Sequence, residues 1–257
     1  MSVATPSLHG TTVVVIGGSS GMGKGVARSA AALGASVVVT SRSADRLDDA
    51  VKQVTDGIPD AVPPRAFVCD LTDDESVNAL FGQLERLDHL VITATPGSGG
   101  GAFLDTDVED ARGVVDGKLW GSWRAARAGA RLMIDGPGAS PAERSILFNT
   151  GGMAVRPVAG RATISVAFAA VEALTRALAV ELAPLRVNAL RPGLTDTEMW
   201  SSVPDADREA IFSEFARTAP ARRVGTPADQ GGAATFLMTA PFVTGAVLDV
   251  DGGILLI

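Results

Sequence analysis

The chain has 257 residues, 46% hydrophobic and 20% charged, with 22 Lys and Arg against 29 Asp and Glu for a formal charge of -7. That supplies one large core and excludes disorder, while the acidic balance gives no basic field for nucleic acid. The single Cys69 forms no internal disulfide, the first ten residues lack the features of a signal peptide, and no apolar stretch approaches the roughly 20 residues of a membrane helix without interruption, so a cytoplasmic protein with no membrane partner is expected.

Thr11 to Ile16 (TTVVVI) is β-branched, apolar and too short for a helix. It predicts a strand, followed by the turn GGSSGMGKG and an alanine-rich helix. Ser36 to Thr40 predicts a second strand, Ala44 to Val54 a helix, and Arg65 to Cys69 a third strand beyond the proline-rich DGIPDAVPP. Asp73 to Arg86, acidic in its first turn, predicts a helix, and Leu90 to Thr93 a fourth strand. PGSGGGAF reads as a flexible loop, Val108 to Met133 as a long helix, Ser145 to Asn149 as a strand and Ile164 to Leu182 as a strongly apolar helix. Leu185 to Leu190 is a further strand; after Arg191-Pro192-Gly193 come a polar, partly helical stretch to about Ala219, a helix near Ala228 to Met238 and a last strand, Ala246 to Val250. Continuous apolar strands alternating with helices predict one α/β domain over residues 1–257, a Rossmann-type doubly wound parallel sheet with helices on both faces.

Gly17, Gly21 and Gly23 follow the first strand and open the first helix. In that context Gly17 suits a tight turn, Gly21 lets backbone amides approach a pyrophosphate, and Gly23 permits close packing of helix on sheet. With this turn, and with Cys69-Asp70-Leu71, AAVEALTRALAVELAPLRVNALRPGLTDTEMW and VTGAVLDVDGG in the same order, the chain resembles the short-chain dehydrogenase/reductase family. The resemblance covers nearly the whole chain. It implies a dinucleotide cofactor touched by Gly17, Ser19, Ser20, Gly21 and Met22, by Thr93 and Ala94 after the fourth strand, by Asp70 and Leu71 at the adenine, and by Pro192, Gly193, Thr195 and Thr197 at the nicotinamide side.

An NAD enzyme usually ends the second strand with Asp or Glu for the ribose 2′-hydroxyl. This chain has Thr40-Ser41-Arg42-Ser43 instead, where the Arg42 guanidinium suits a 2′-phosphate and Ser41 and Ser43 add hydroxyls, so NADP is the expected cofactor. A solvated surface arginine is the plain alternative.

The reacting end departs from the family. Its usual members use a Ser, a Tyr-x-x-x-Lys pair and an Asn, and the resemblance puts Gly151, Ile164, Phe168 and Lys118 at those positions. There is no Tyr in the chain, and Lys24, Lys52 and Lys118 are its only lysines. Lys118 is the candidate proton donor, its pKa lowered by Ile164 and Phe168, with Thr150 as a weaker hydrogen-bond donor at its strand end. A lysine that fills space or binds helix carbonyls is the alternative. His9 and His89 are expected at the solvent-facing bottom edge of the sheet, and with no Cys or His cluster no metal site is expected. An atypical NADP-dependent oxidoreductase acting on a carbonyl or imine of a small to medium apolar substrate is the leading expectation; a lyase or isomerase and a nucleotide-binding pseudoenzyme are the others. Trp120 and Trp123, the two apolar helices and the C-terminal VLDVDGGILLI predict a homo-oligomer, a tetramer or dimer.

Overall fold

The computed structural model describes residues 7–95 and 100–257. Seven parallel strands form one sheet in the order β3-β2-β1-β4-β5-β6-β7: β1 Thr12–Ile16, β2 Ser36–Ser41, β3 Arg65–Val68, β4 His89–Ile92, β5 Ser145–Asn149, β6 Arg186–Pro192 and β7 Val247–Val250. The helices are α1 Gly21–Ala32, α2 Ala44–Thr55, α3 Asp74–Gly82, α4 Val108–Val115, α5 Gly121–Asp135, α6 Ala162–Glu181, α7 Asp205–Thr218 and α8 Pro227–Thr239. β1, β4 and β5 are buried along almost their whole length, which is why they read as unbroken apolar runs. One core packs β1 and β2 side chains against α1, α2 and α8; the other packs the opposite face against α3, α5 and α6. Strand order reverses between β1 and β4, and the crevice at their C-terminal ends is where this architecture receives ligands.

Some expectations need correction. The helix after β3 stops at Gly82, where its last turn closes on Gln83 rather than continuing to Arg86. The run from Val108 is helical to Asp135, but Asp116–Trp120 forms a π-turn between α4 and α5. Of PGSGGGAF, residues 96–99 lie outside the described residues, and Phe103–Asp105 is a short 3-10 turn. By length and composition α6 is apolar enough to cross a membrane, contrary to the expectation that no stretch would be; here one face packs into the core through Val171 and Leu174.

The bottom of the sheet is structural. Arg144 sends its guanidinium to the Met133 carbonyl in the last turn of α5 and to the Gly136 and Pro137 carbonyls just beyond it, and Arg186 does the same for Leu237 and Met238 at the end of α8. Both complement the negative end of a helix. His89, expected to face solvent, is only 3% exposed, because the β4–β5 register sets it opposite Ser145, whose Oγ lies 2.9 Å from Nδ1. Burial pushes its imidazole down to about 4 from the ordinary 6.5. As pH falls from 6.5 to 4, the unfolded chain binds the proton and the folded chain does not. Stability is therefore expected to fall over that window, by about 3 kcal/mol at most. Denaturant unfolding at pH 7 and pH 5 measures it, and a His89→Gln chain that loses as much would contradict the assignment.

Candidate active site

The turn after β1 is built for an anion. Gly17 has φ +84°, and a Cβ there would meet the Ala94 nitrogen at 2.8 Å and Thr93 Oγ1 at 2.9 Å. Gly21 has φ +51°, with Thr197 directly above it. The strand-4 end is stitched to the same turn: the Thr93 and Ala94 amides both donate to the Ile16 carbonyl, and Thr93 Oγ1 also reaches Ile16 and Gly17. The Ser20 side chain does not cap α1, and the first turn of α1 carries no acidic residue. Instead the Gly21 amide donates to Glu198 Oε2 at 2.7 Å, and Lys24 pairs with the other oxygen of that carboxylate. A carboxylate thus lies where the helix N-terminus would receive a phosphate, so the turn fits an anionic group. Ser19, Ser20 and Met22 line the same turn, each partly exposed. Glu198 is a residue that sequence reasoning passed over, because a contact spanning 177 positions leaves no local signal.

At the end of β2, Arg42 is exposed, with no hydrogen bond or ion pair of its own among the described residues. Ser41 Oγ accepts from the Ser43 amide, and Ser43 Oγ accepts from the Arg46 amide as the N-cap of α2. Each hydroxyl keeps its own proton to donate. The Asp70 carboxylate is held below the usual range, first by the Thr72 amide and also by the Arg42 charge. Leu71 is buried against Gly121, which leaves Asp70 as the accessible member of that pair. Across the crevice, Pro192 and Thr195 are buried, Gly193 and Thr197 partly so, and the Thr195 hydroxyl donates to the Gly193 carbonyl. Behind this segment Arg191 holds Glu172 with two 2.8 Å contacts and Asp249 at 2.6 Å, which raises the guanidinium pKa and ties β6 to α6.

The π-turn carries Lys118 into the interior, where its exposure is 0%. Such turns often mark functional sites. Its Nζ donates to the Ala94 carbonyl at 3.1 Å and to Thr95 Oγ1 at 3.3 Å, and lies 5.7 Å from the centre of the Phe168 ring. Burial pushes the ammonium down to about 7 from 10.5. Lys118 therefore meets solvent only through its neighbours, and Thr95, its one hydroxyl partner among the described residues, is exposed. Thr150 does not join it. That hydroxyl is buried and directed at Glu172 Oε1 and the Leu190 carbonyl, 3.2 and 3.1 Å away, so the expected donor at the strand end is part of the Glu172 network instead.

The family model described as "Enoyl-(Acyl carrier protein) reductase" matches residues 16–255. The chain is 32% identical over 254 residues to "Short-chain dehydrogenase/reductase ATR9" of Stachybotrys chlorohalonatus, covering 96% of this chain and 98% of that one. The chain belongs to the short-chain dehydrogenase/reductase family of oxidoreductases. A solved small-chain dehydrogenase in complex with NADPH is similar at 31% identity and a TM-score of 0.77, covering 96% of this chain and 99% of the other. The structure of MalC Reductase/Diels-Alderase from Malbranchea aurantiaca is similar at 25% identity and a TM-score of 0.89, covering 97% and 98%.

Gly151 and Lys118 both pack against the Phe168 ring. Phe168 and Ile164 are buried side by side on α6, and a Cβ on Gly151 would lie 2.6 Å from the Phe168 ring. The ring thus occupies the space a serine at 151 would need. Ser165, the neighbouring hydroxyl, donates to the Arg161 carbonyl. Among the described residues no group of three or more His, Cys, Asp or Glu is arranged to hold a metal ion.

Proposed function

We propose that this short-chain oxidoreductase uses NADP(H) to reduce a carbonyl or imine of a small to medium apolar substrate, with Lys118 as its proton reservoir. The observation that carries the reading is the buried ammonium, pushed down to about 7, beside the turn that cradles an anion. Bound NADPH would supply the hydride. The fit rests on Arg42 at the end of β2, the amides of Gly21 and Met22, and the Pro192-Gly193 segment braced by Thr195. Hydride addition leaves negative charge on the substrate oxygen, which needs a proton and a stabilising positive charge. Lys118 Nζ donates to Thr95 Oγ1, and the exposed Thr95 hydroxyl, which here donates to the Thr93 carbonyl, would relay the proton on turning outward. An ammonium near neutral pKa suits both loss and recovery of that proton around pH 7. Ile164 and Phe168 exclude water and keep the charge effective. Absorbance at 340 nm on mixing the protein with NADPH and a panel of apolar ketones, aldehydes and cyclic imines tests the reading; no consumption across the panel would refute it.

A second reading is favoured by the apolar groups at three of the four replaced positions and by the neighbour titled reductase/Diels-Alderase. A ring closure or isomerisation shaped by the pocket needs no proton donor. Product formed without loss of NADPH would select it.

Residues 1–257 are read as one dinucleotide-binding domain acting in the cytoplasm. Cys69 is buried and its thiol is pushed up to about 11, which keeps it unreactive. Assembly as a dimer or tetramer is supported by two sets of exposed apolar side chains: Trp120 at the end of the π-turn, Trp123 on α5 and Val166 and Val180 on α6, and Phe236, Phe242 and Leu256 towards the β7 end. A groove of about 470 Å³ between α3 and α5 adjoins the tryptophans. Light scattering at micromolar concentration is expected to report two or four chains, and a monomer would contradict the assignment.

A further inference from the structure

We propose that Glu198 is a built-in competitor for the dinucleotide's phosphates, a carboxylate that must leave the N-terminus of α1 for a pyrophosphate to bind and that moves Trp200 as it does so. The proposal rests on the dinucleotide reading above. Three observations carry it. First, Glu198 takes the Gly21 amide at 2.7 Å and the Lys24 ammonium, the two donors best placed for a phosphate oxygen. Second, α1 has no anion of its own: Ser20 leaves the cap unmade and no acidic side chain stands in the first turn. A helix start without such partners is open to an external anion, and here that anion comes from 177 positions along the chain. Third, the Glu198 side chain is 49% exposed, so it is free to rotate into water when displaced.

Two anions cannot share one amide. A pyrophosphate arriving at Gly21 would expel the carboxylate by like-charge repulsion, and Lys24 would change partners from Glu198 to phosphate. The carboxylate is not an isolated side chain. It begins the 3-10 segment Glu198–Ser202, in which Trp200 donates its indole N–H to the Thr195 carbonyl at 3.1 Å and meets Phe212 of α7 edge-on at 5.4 Å. Movement at Glu198 is thereby transmitted to α7, and affinity for the cofactor is set partly by the cost of breaking this contact.

The test compares the unmodified chain with Glu198→Ala and Glu198→Gln. Calorimetric titration with NADPH is expected to give Glu198→Ala an affinity about fivefold or more above the unmodified chain, with Glu198→Gln between them, because its amide oxygen still accepts from Gly21 but carries no charge for Lys24. In a background of Trp120→Phe and Trp123→Phe, Trp200 is the sole indole. Inorganic pyrophosphate alone should then shift its emission in the Glu198 chain and leave Glu198→Ala, already shifted, unchanged. Equal or weaker NADPH binding by Glu198→Ala overturns the proposal while leaving the cofactor reading intact. No NADPH binding by any of the three chains removes both.

Discussion

Replacing Lys118 with Met is expected to lower kcat for carbonyl reduction by roughly 100- to 10,000-fold while leaving NADPH affinity nearly unchanged. The magnitude is that of a positioned general acid, and the position is fixed by what surrounds the ammonium. Its hydrogen bonds run to Ala94 and Thr95, not to any carboxylate, and its exposure is 0%. A buried charge so sparsely partnered is costly, which is what pushes it down to about 7. Two consequences follow in opposite directions. Reduction needs the protonated form, so kcat of the unmodified chain is expected to fall as pH rises through about 7, a limb that disappears in Lys118→Met. Folding disfavours the protonated form, so stability rises with pH between about 7 and 10.5 as the unfolded chain alone retains the proton. Methionine keeps most of the stem's packing. Full activity in Lys118→Met would therefore assign the residue to space filling and move the proton source to water or substrate.

Arg42→Ala is expected to weaken NADPH binding by about 10- to 100-fold and to leave NADH nearly untouched, as the loss of one charge-assisted phosphate contact requires. The guanidinium is free for the task, since it is exposed and makes no hydrogen bond or ion pair among the described residues. Its electrostatic neighbour is Asp70, itself occupied by Thr72. Paired titrations of both nucleotides into both chains measure the preference. Equal affinity for NADH and NADPH in the unmodified chain would sink it.

The sheet was legible because parallel strands buried on both faces must be continuously apolar, as TVVVI of β1 and SILFN of β5 are. The glycine turn was legible because backbone conformation at Gly17 and Gly21 restricts the residue type. Lys118 could be reached from its aligned position and from the absence of any rival. Its route to solvent through Thr95 could not, since that depends on a π-turn that shifts the helix register by one residue. Thr150 illustrates the reverse case. A threonine at a strand end reads as an available donor, and only the fold shows Glu172 arriving from α6 to take it. His89 was misplaced for a related reason, as a polar residue opening a strand looks like an edge until its partner strand brings Ser145.

The fit of Phe168 against Gly151 also bears on attempts to rebuild the usual chemistry in this scaffold. Serine restored alone at 151 would collide with the ring 2.6 Å from its Cβ. Lysine restored alone at 168 would set a second buried ammonium near Lys118 with no counter-charge between them. Tyrosine restored alone at 164 would enter a position now only 3% exposed, without the cation that would lower its pKa. The ring at 168 thus blocks a side chain at 151, and the ammonium at 118 disfavours a second one at 168, so 151 and 168 would have to be exchanged together. A library that varies 151 and 168 one at a time would therefore miss the combinations that a joint library reaches.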